Sequence, residues 1–351
     1  MDTRPPSSIS LYAATAVTPL DRTTYRAELV QSFSNGTVPN GGYVASCLMS
    51  AASAHLKARG QPDIITAHFE FVSRTEVGPA VIIVEEVKLG RRLSTLHVSL
   101  YQGALDLDHA PYITTAPATS SIPGKTTVAT SRKEIIAYFN CGSLEIERGL
   151  TLPTHYDFQD PHGVPRPPRP ADLSALAARQ EDSTWRRMPI PTRLGGLERR
   201  ALHNMEYYFP RAGPQRPSVI DVWVRLAEPG GRFTNAALGY VADSWPYVVE
   251  AYRGRGGSGS GSSGGSGGDV VREDDVFWFP TVVMNLDVKK PLPAPGAEWL
   301  CMRVEAKQIR RGRLDMEVVL LDEAGELVAV CHHVNLIVGG ERNLKKRTTK
   351  L

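Results

Sequence analysis

The chain has 351 residues, of which 42% are hydrophobic and 22% are charged, and its formal net charge is +3. This composition is typical of a folded globular protein, and the evenly mixed charges exclude the basic stripes that bind nucleic acid. The sequence has no run of 18 apolar residues and no secretory leader pattern, so it predicts a cytoplasmic protein without a membrane span.

The first third of the chain is predicted to form one helix followed by an antiparallel sheet. After a short strand within 24–33, apolar and small residues recur at helical spacing from about Gly42 to Lys57. Apolar and polar residues then alternate, first in AHFEFVSRTEV (67–77) and again in the hairpin VIIVEEVKLGRRLSTLHVSLYQ (81–102).

The middle of the chain interrupts this pattern. Between about 117 and 217, proline-rich sequence such as HGVPRPPRPADLS disfavours regular structure, and only Asp172 to Gln180 has the pattern of a short helix. Residues 126–200 are therefore predicted to be a linker between two domains.

The last third repeats the order of the first third. A second helix is predicted in RFTNAALGYVADSWPYVVEAY (232–252), bent or ended by Pro246, and the strand MNLDVKKPL and a long hairpin follow it. When the two copies are aligned, His68 corresponds to Asn285. Residues 253–275 contain a Gly/Ser run predicted to be a flexible loop, and 341–351 form a basic tail.

Two tandem copies of a helix wrapped by an antiparallel sheet predict an α+β fold of the double hotdog type. The N-terminal hotdog is predicted to span 1–125 and the C-terminal hotdog 201–340. Such a duplication predicts one pocket formed by both halves. The fold alone specifies no reaction.

Three segments carry a resemblance to a known family: NGGYVASCLMSAA, FWFPTVVMNLDVKKPLP and GRLDMEVVLLDEAGELVAVCHHVNLIV. They resemble the TesB-like acyl-CoA thioesterases, specifically the fungal-type branch, over roughly residues 20–115 and 200–340. The resemblance implies a hydrolase of fatty acid metabolism that acts on an acyl-CoA or acyl-carrier thioester by direct attack of water. It implies no metal and no cofactor.

The family holds its attacking water with an Asp, a Thr and a Gln. The resemblance assigns these positions to Asp243, Thr281 and His333, with histidine replacing glutamine. A carboxylate on an otherwise apolar helix is costly to bury, which independently favours a function for Asp243 as general base. The alternatives are that Asp243 pairs with an arginine of the linker and that Thr281 is only a strand former.

His333 would add a titratable group near neutral pH, so the sequence predicts a pH limb that glutamine enzymes lack. Strand alternation puts His333 on one face with Cys331 and Asn335, and His332 on the other. Which of the two imidazoles faces the pocket depends on one step of strand register.

Backbone N–H groups of the turn Asn40-Gly41-Gly42, at the start of the first helix, are predicted to stabilise the oxyanion of the intermediate. The alternative is that Gly41 and Gly42 only permit close packing. Arg91-Arg92 and Arg310 to Arg313 occupy equivalent hairpin tips, which either contact the phosphates of coenzyme A or are simply solvated.

Two other functions fit the same fold: a polyketide-pathway hydrolase, cyclase or dehydratase, and a non-catalytic acyl-binding protein. The sequence has no GxSxG, GxGxxG, P-loop or HExxH motif, which disfavours serine hydrolases, nucleotide enzymes and zinc proteases. Four scattered cysteines are predicted to be reduced. The terminal Thr349-Lys350-Leu351 resembles the Ser-Lys-Leu peroxisomal address, the alternative being a plain basic tail. A monomer and a homo-oligomer are both compatible with the sequence.

Overall fold

The first half of the chain forms one long helix and most of a sheet. The computed structural model describes residues 9–114, 130–152, 171–191, 193–194, 197–214, 216–245, 248–253, 271–272 and 274–344. The first-half helices are α1 (Leu11–Thr15) and α2 (Gly41–Leu56). The first-half strands are β1 (Val17–Pro19), β2 (Thr24–Leu29), β3 (Ser34–Asn35), β4 (Val38–Pro39), β5 (Asp63–Phe71), β6 (Gly78–Lys88), β7 (Ser94–Gly103) and β8 (Ser131–Gly142).

The second half repeats this plan with a much shorter helix. Its helices are α3 (Leu173–Arg179), α4 (Leu238–Asp243) and α5 (Glu341–Leu344). Its strands are β9 (Trp185–Arg187), β10 (Arg193–Leu194), β11 (Leu197–Glu198), β12 (Met205–Pro210), β13 (Val219–Leu226), β14 (Phe277–Trp278), β15 (Thr281–Val288), β16 (Leu300–Glu305), β17 (Ile309–Arg310), β18 (Arg313–Leu321), β19 (Leu327–Leu336) and β20 (Val338–Gly339).

One antiparallel sheet joins the two halves. Its order is β1-β2-β6-β7-β8-β5-β15-β19-β18-β16-β13-β12-β9, with β17 paired to β18. The order on one side of the β5/β15 junction repeats on the other, so β5, β8 and β7 correspond to β15, β19 and β18. At the junction, His68 lies directly opposite Asn285, the residue aligned with it in the sequence repeat. The predicted α+β double hotdog is therefore confirmed, with an approximate two-fold axis between β5 and β15.

The predicted linker contributes two strands to this sheet. β8 pairs with both β5 and β7 in the first half, and β9 pairs with β12 at the far edge. The expected domain boundary at residue 125 therefore leaves out a strand of the first unit. Strand β8 was not predicted because prolines occur on either side of it, although its centre, IIAYF, is rich in strand formers. The short helix expected at 172–180 is present as α3.

The two central helices differ in length. α2 closely matches the predicted helix, and the Asn40 side chain caps it by accepting a hydrogen bond from the Tyr43 N–H at 2.9 Å. The second helix was expected over most of 232–252, but α4 ends at Asp243 and only a 3₁₀ turn, Val248–Tyr252, continues the segment. Pro246, the Gly/Ser run within 254–270 and the terminal Thr349-Lys350-Leu351 lie outside the described residues.

The core lies between the central helices and the sheet. Apart from its N-terminal glycine and a few residues near its C-terminal end, α2 is buried, and it shares one apolar cluster with α4 and both halves of the sheet. All four cysteines are free and buried, as predicted: Cys47, Cys141, Cys301 and Cys331. Within the described residues, no helix has the length and apolar character needed to cross a bilayer.

Candidate active site

A repeated tetrapeptide brings the two central helices together. Gly-Tyr-Val-Ala occurs at 42–45 in α2, where Ser46 follows it, and again at 239–242 in α4, where Asp243 follows it. A Cβ atom on Gly42 would lie 2.3 Å from the Gly239 carbonyl oxygen, so only glycine permits this crossing. The close approach carries the Asp243 carboxylate to the N-terminus of α2.

Asp243 accepts three hydrogen bonds. Its Oδ2 accepts from the Gly42 backbone N–H at 2.7 Å and from Asn40 Nδ2 at 3.0 Å. Its Oδ1 accepts from the Thr281 hydroxyl at 3.1 Å. Among the residues that the structure describes, no arginine contacts the carboxylate. Arg166 and Arg169 of the expected linker lie outside those residues.

Thr281 lies between Asp243 and a buried amide. Asn335 Nδ2 donates to Thr281 Oγ1 at 2.9 Å, and the same hydroxyl donates to Asp243. The amide thus fixes the direction of the hydroxyl proton. Thr281 is therefore more than a strand former, and Asn335 belongs to the site although it was not among the predicted site residues.

Burial changes the protonation of Asp243. Loss of solvent raises the pKa of its carboxyl group to about 6, against the opposing effect of the hydrogen bonds from Gly42, Thr281 and Asn40. The carboxylate is ionised at neutral pH and is a better proton acceptor than an ordinary aspartate.

His333 faces this carboxylate from behind. Its side chain is fully buried, and Nδ1 lies 3.7 Å from Asp243 Oδ1, whereas His332 is half exposed and lies beside Glu317 on the outer face. Burial lowers the pKa of His333 to about 3. This shift opposes the expected pH limb from His333, because burial disfavours the charged imidazole.

A cavity of about 270 Å³ opens onto Asp243 and Thr281. Its wall includes four aromatic side chains, those of Phe71, Trp245, Trp278 and Phe279. His333 and Asn335 do not line it. The predicted site residues thus separate into two that reach the cavity, Asp243 and Thr281, and one that supports the carboxylate from behind.

The start of α2 forms another part of the cavity wall. The Gly42 N–H and the Asn40 amide donate to Asp243. These two donors are therefore occupied and are not free to bind the oxyanion, contrary to the prediction from the sequence. The Gly41 N–H has no acceptor within the described residues, and Gly41 lines the cavity. This group and the positive end of the α2 dipole remain available to a carbonyl oxygen.

The two arginine hairpins lie at different ends of the molecule. The Gly312 carbonyl accepts from the Ile337 N–H at 2.7 Å, which places the Arg310 to Arg313 tip beside Leu336 in the wall of the Asp243 cavity. Arg91 and Arg92 line a separate cavity with Arg59, beyond the far end of α2. They cannot both serve one thioester site.

The two-fold axis relates this site to a second, apolar position. Strand register makes Ile64, Phe139 and Cys141 the counterparts of Thr281, His333 and Asn335. In the helices, Ser46 corresponds to Asp243, and its Oγ accepts from the Tyr240 N–H at 2.9 Å. Each helix is therefore capped from the opposite half, once by a carboxylate and once by a serine.

Sequence alone contained a signal for Asn335. An amide two residues after His333 has the same strand parity, so it faces the same interior. The resemblance puts a histidine at position 333 in place of the glutamine, whereas the irregular pairing between Thr281 and Val283 brings Asn335 opposite Thr281. Such a bulge cannot be read from one sequence.

Family models match both halves of the chain. Residues 29–120 match the N-terminal domain of acyl-CoA thioesterases, and residues 165–337 match the C-terminal domain. A curated relative, the thioesterase-like protein TwmA of Talaromyces wortmannii, is 40% identical over 345 residues, which cover 95% of this chain and 94% of the relative.

Solved structures share the fold at low sequence identity. A hot dog fold protein from Alicyclobacillus acidocaldarius superposes with a TM-score of 0.61 at 16% identity, covering 94% of this chain and 98% of that one. The acyl-CoA thioesterase II TesB2 of Mycobacterium marinum gives a TM-score of 0.55 at 16% identity, covering 95% of this chain and all of the other, 100%.

Proposed function

The chain belongs to the acyl-CoA thioesterase family and is a thioester hydrolase, and from that premise we propose that Asp243 activates the water that cleaves an acyl thioester bound in the aromatic cavity. The observation that carries the proposal is the buried carboxylate of Asp243 in the cavity wall, beside Thr281 and the N-terminus of α2.

The reaction begins with a water molecule beside Asp243. A carboxylate has about four acceptor positions, and three are used by Gly42, Asn40 and Thr281. The remaining position accepts a water proton while the water oxygen attacks the thioester carbonyl. The C–S bond then breaks, and the proton held by Asp243 passes to the leaving thiolate, which gives a carboxylic acid and a free thiol.

Gly41 supplies the complementary charge stabilisation. Its N–H, at the first position of α2, donates to the carbonyl oxygen as that oxygen becomes negative. A side chain at this position would crowd the site, because a Cβ on Gly41 lies 3.2 Å from Asp243 Oδ2 and 3.2 Å from the Phe71 ring.

Asn335 and His333 act through Asp243 and Thr281. Asn335 holds the Thr281 hydroxyl, and the neutral ring of His333 closes the space behind the carboxylate and excludes bulk water. Both are positioning residues. The polyketide dehydratase alternative depends on His333 as a general acid. Burial lowers the pKa of His333, which leaves the ring uncharged and weakens that alternative.

The cavity fits an apolar acyl group with a phosphate-bearing leaving group. Phe71, Trp278 and Phe279 offer aromatic surface to the acyl chain. The Arg310 to Arg313 tip is exposed next to the same cavity, where its guanidinium groups suit the phosphates of coenzyme A.

Turnover of a panel of acyl-CoA thioesters, followed by detection of the released thiol, tests the proposal. Asp243→Asn should lower kcat/KM by about 10²–10⁴ because the general base is lost. Asp287→Asn, at a half-exposed carboxylate on β15, the strand that carries Thr281, is the matched control and should leave turnover unchanged. Full activity in Asp243→Asn overturns the assignment, and ligand-induced thermal stabilisation without any turnover in the unmodified chain indicates the acyl-binding alternative.

A further inference from the structure

A second cavity, of about 530 Å³, lies at the opposite end of α2 from Asp243. It is enclosed by the residues after α2, by the β6–β7 turn and by the segment that follows β8. The 16 residues of α2 separate the two cavities by about 24 Å, and most of that helix is buried. A ligand in the second cavity is therefore distinct from a thioester held at Asp243.

Positive charge dominates the second cavity. Its charged lining residues are Glu147 and four arginines, Arg59, Arg91, Arg92 and Arg148. Arg59 Nη2 donates to the Gly90 carbonyl at 3.4 Å. The other three guanidinium groups have no carboxylate partner within the described residues. Elsewhere many arginines are paired, as Arg303 is with Asp221 and Arg211 with Glu181.

Buried polar contacts fix the turn that carries Arg91 and Arg92. Ser94 Oγ donates to Gln61 Oε1 at 2.6 Å and accepts from the Gly90 N–H at 3.3 Å. Gln61 Nε2 donates to the Gly90 carbonyl at 3.1 Å. The turn is thus held against the end of α2, and its arginines lose less freedom on binding a ligand than those of a loose hairpin.

The two-fold axis relates the second cavity to the catalytic one. Ile65 and Gly142 in its wall correspond by strand register to Val282 and Leu336 of the Asp243 cavity. The interior behind them is closed, however, because Ile64, Phe139 and Cys141 are packed in the core. The second cavity therefore lies where the opening of the Asp243 cavity lies in the other half. Core residues fill the space behind it, and Ser46 stands at the position equivalent to Asp243.

We propose that this cavity is a non-catalytic binding site for a pyrophosphate-bearing anion, either a free nucleotide or the nucleotide half of a second coenzyme A. Guanidinium groups bind phosphate oxygens in paired hydrogen bonds, and an anion relieves the repulsion among three arginines that have no carboxylate partner in the described part of the chain. The proposal goes beyond the hydrolysis at Asp243 and does not depend on it.

Calorimetric titration of the full chain at low ionic strength tests this site with inorganic pyrophosphate, ADP and coenzyme A as probes. The variant Arg91→Ala/Arg92→Ala/Arg148→Ala should bind pyrophosphate at least about tenfold more weakly, because charge-assisted hydrogen bonds are lost. Its thermal midpoint and its acyl-CoA turnover should not change, since the three side chains are exposed. The control is Arg26→Ala, at an exposed arginine that lines neither cavity, which should retain pyrophosphate binding.

Three results overturn the proposal: no pyrophosphate binding by the unmodified chain, unchanged affinity in the Arg91 variant, or an equal loss of affinity in the Arg26 control. The probes also separate the two sources of the anion. In the binding that the Arg91 variant loses, a higher affinity for coenzyme A than for ADP supports a second coenzyme A, and an equal or lower affinity supports a free nucleotide.

Discussion

The two helix N-termini at the centre of the molecule are capped in the same way by different chemistry. Asp243 accepts from the Gly42 N–H at 2.7 Å, and Ser46 accepts from the Tyr240 N–H at 2.9 Å. Because serine suffices at one end, the fold needs only an acceptor there. The charge of Asp243 exceeds what folding requires, which makes it the clearest mark of function in the chain.

The residues around Asp243 are polar, whereas those around Ser46 are apolar. Asp243 has Thr281 and, through it, Asn335, whereas the equivalent positions near Ser46 hold Ile64 and Cys141. A duplicated fold has thus kept one polar site and converted the other to core. Exchanging residues between the two positions tests this interpretation.

The largest effect on activity is expected when Asp243 is replaced by serine, the residue at the equivalent position 46. Asp243→Ser should lower kcat/KM for acyl-CoA by about 10²–10⁴, because the general base is lost. The folded state should be no less stable at pH 7.5, since serine still accepts from Gly42 and no buried charge remains. Thiol release and urea unfolding measure the two quantities. A clear loss of stability would show that the carboxylate is a structural requirement.

The reverse exchange should damage folding without creating activity. Ser46→Asp places a carboxylate where Ile64 and Phe139 replace the polar partners of Asp243, and a buried, poorly paired charge costs about 3–5 kcal/mol. Urea unfolding at pH 8 should show this loss in the free energy of unfolding. Ser46→Ala is the control for the lost acceptor and should cost only about 1–3 kcal/mol. Equal stability of Ser46→Asp and the unmodified chain would contradict the proposed difference.

The helix crossing should respond unequally to its two glycines. A Cβ on Gly42 meets the Gly239 backbone oxygen at 2.3 Å, whereas a Cβ on Gly239 first meets the flexible end of Met49 at 3.0 Å. Gly42→Ala should therefore lower the free energy of unfolding by about 1–3 kcal/mol or more, and Gly239→Ala by less. Thermal unfolding of both variants gives the comparison, and a larger loss in Gly239→Ala would reverse it.

Much of this fold is accessible from the sequence because periodicity is a local property. α2, α3 and the β6–β7 and β18–β19 hairpins have clean spacing and lie where the sequence predicts them. β8 was missed because its position between β5 and β7 depends on pairing with distant strands. The short α4 was overestimated because the apolar pattern continues after Asp243 although the helix does not.

The site is less accessible than the fold. Asp243 can be identified from the sequence because a carboxylate on an apolar helix is costly to bury. Thr281 is identified from the family resemblance. The supporting role of Asn335 and the neutrality of His333 depend on a strand bulge and on burial, and both are properties of the assembled core. For the same reason the sequence could not show that Asn40 and Gly42 hold the carboxylate.

The smallest expected effect concerns His333, whose counterpart in the first half is Phe139. Activity requires ionised Asp243, whose pKa is about 6, so kcat/KM should fall about tenfold per pH unit as the pH drops below 6. The His333→Gln variant should keep this limb and lose less than about tenfold in rate, because a ring whose pKa is lowered to about 3 stays uncharged in the working range. A pH profile of both proteins measures the limb.

Disappearance of the limb in His333→Gln would assign the titration to the imidazole instead. The geometry favours the carboxylate. Asp243 reaches the cavity where the water must stand, while His333 lies behind it and does not line that cavity. A proton on His333 would also have to enter a fully buried position, where desolvation opposes the charged ring. Burial disfavours the charged form of both groups, so it raises the pKa of an acid and lowers that of a base. The same apolar environment therefore makes Asp243 a stronger base and keeps His333 uncharged.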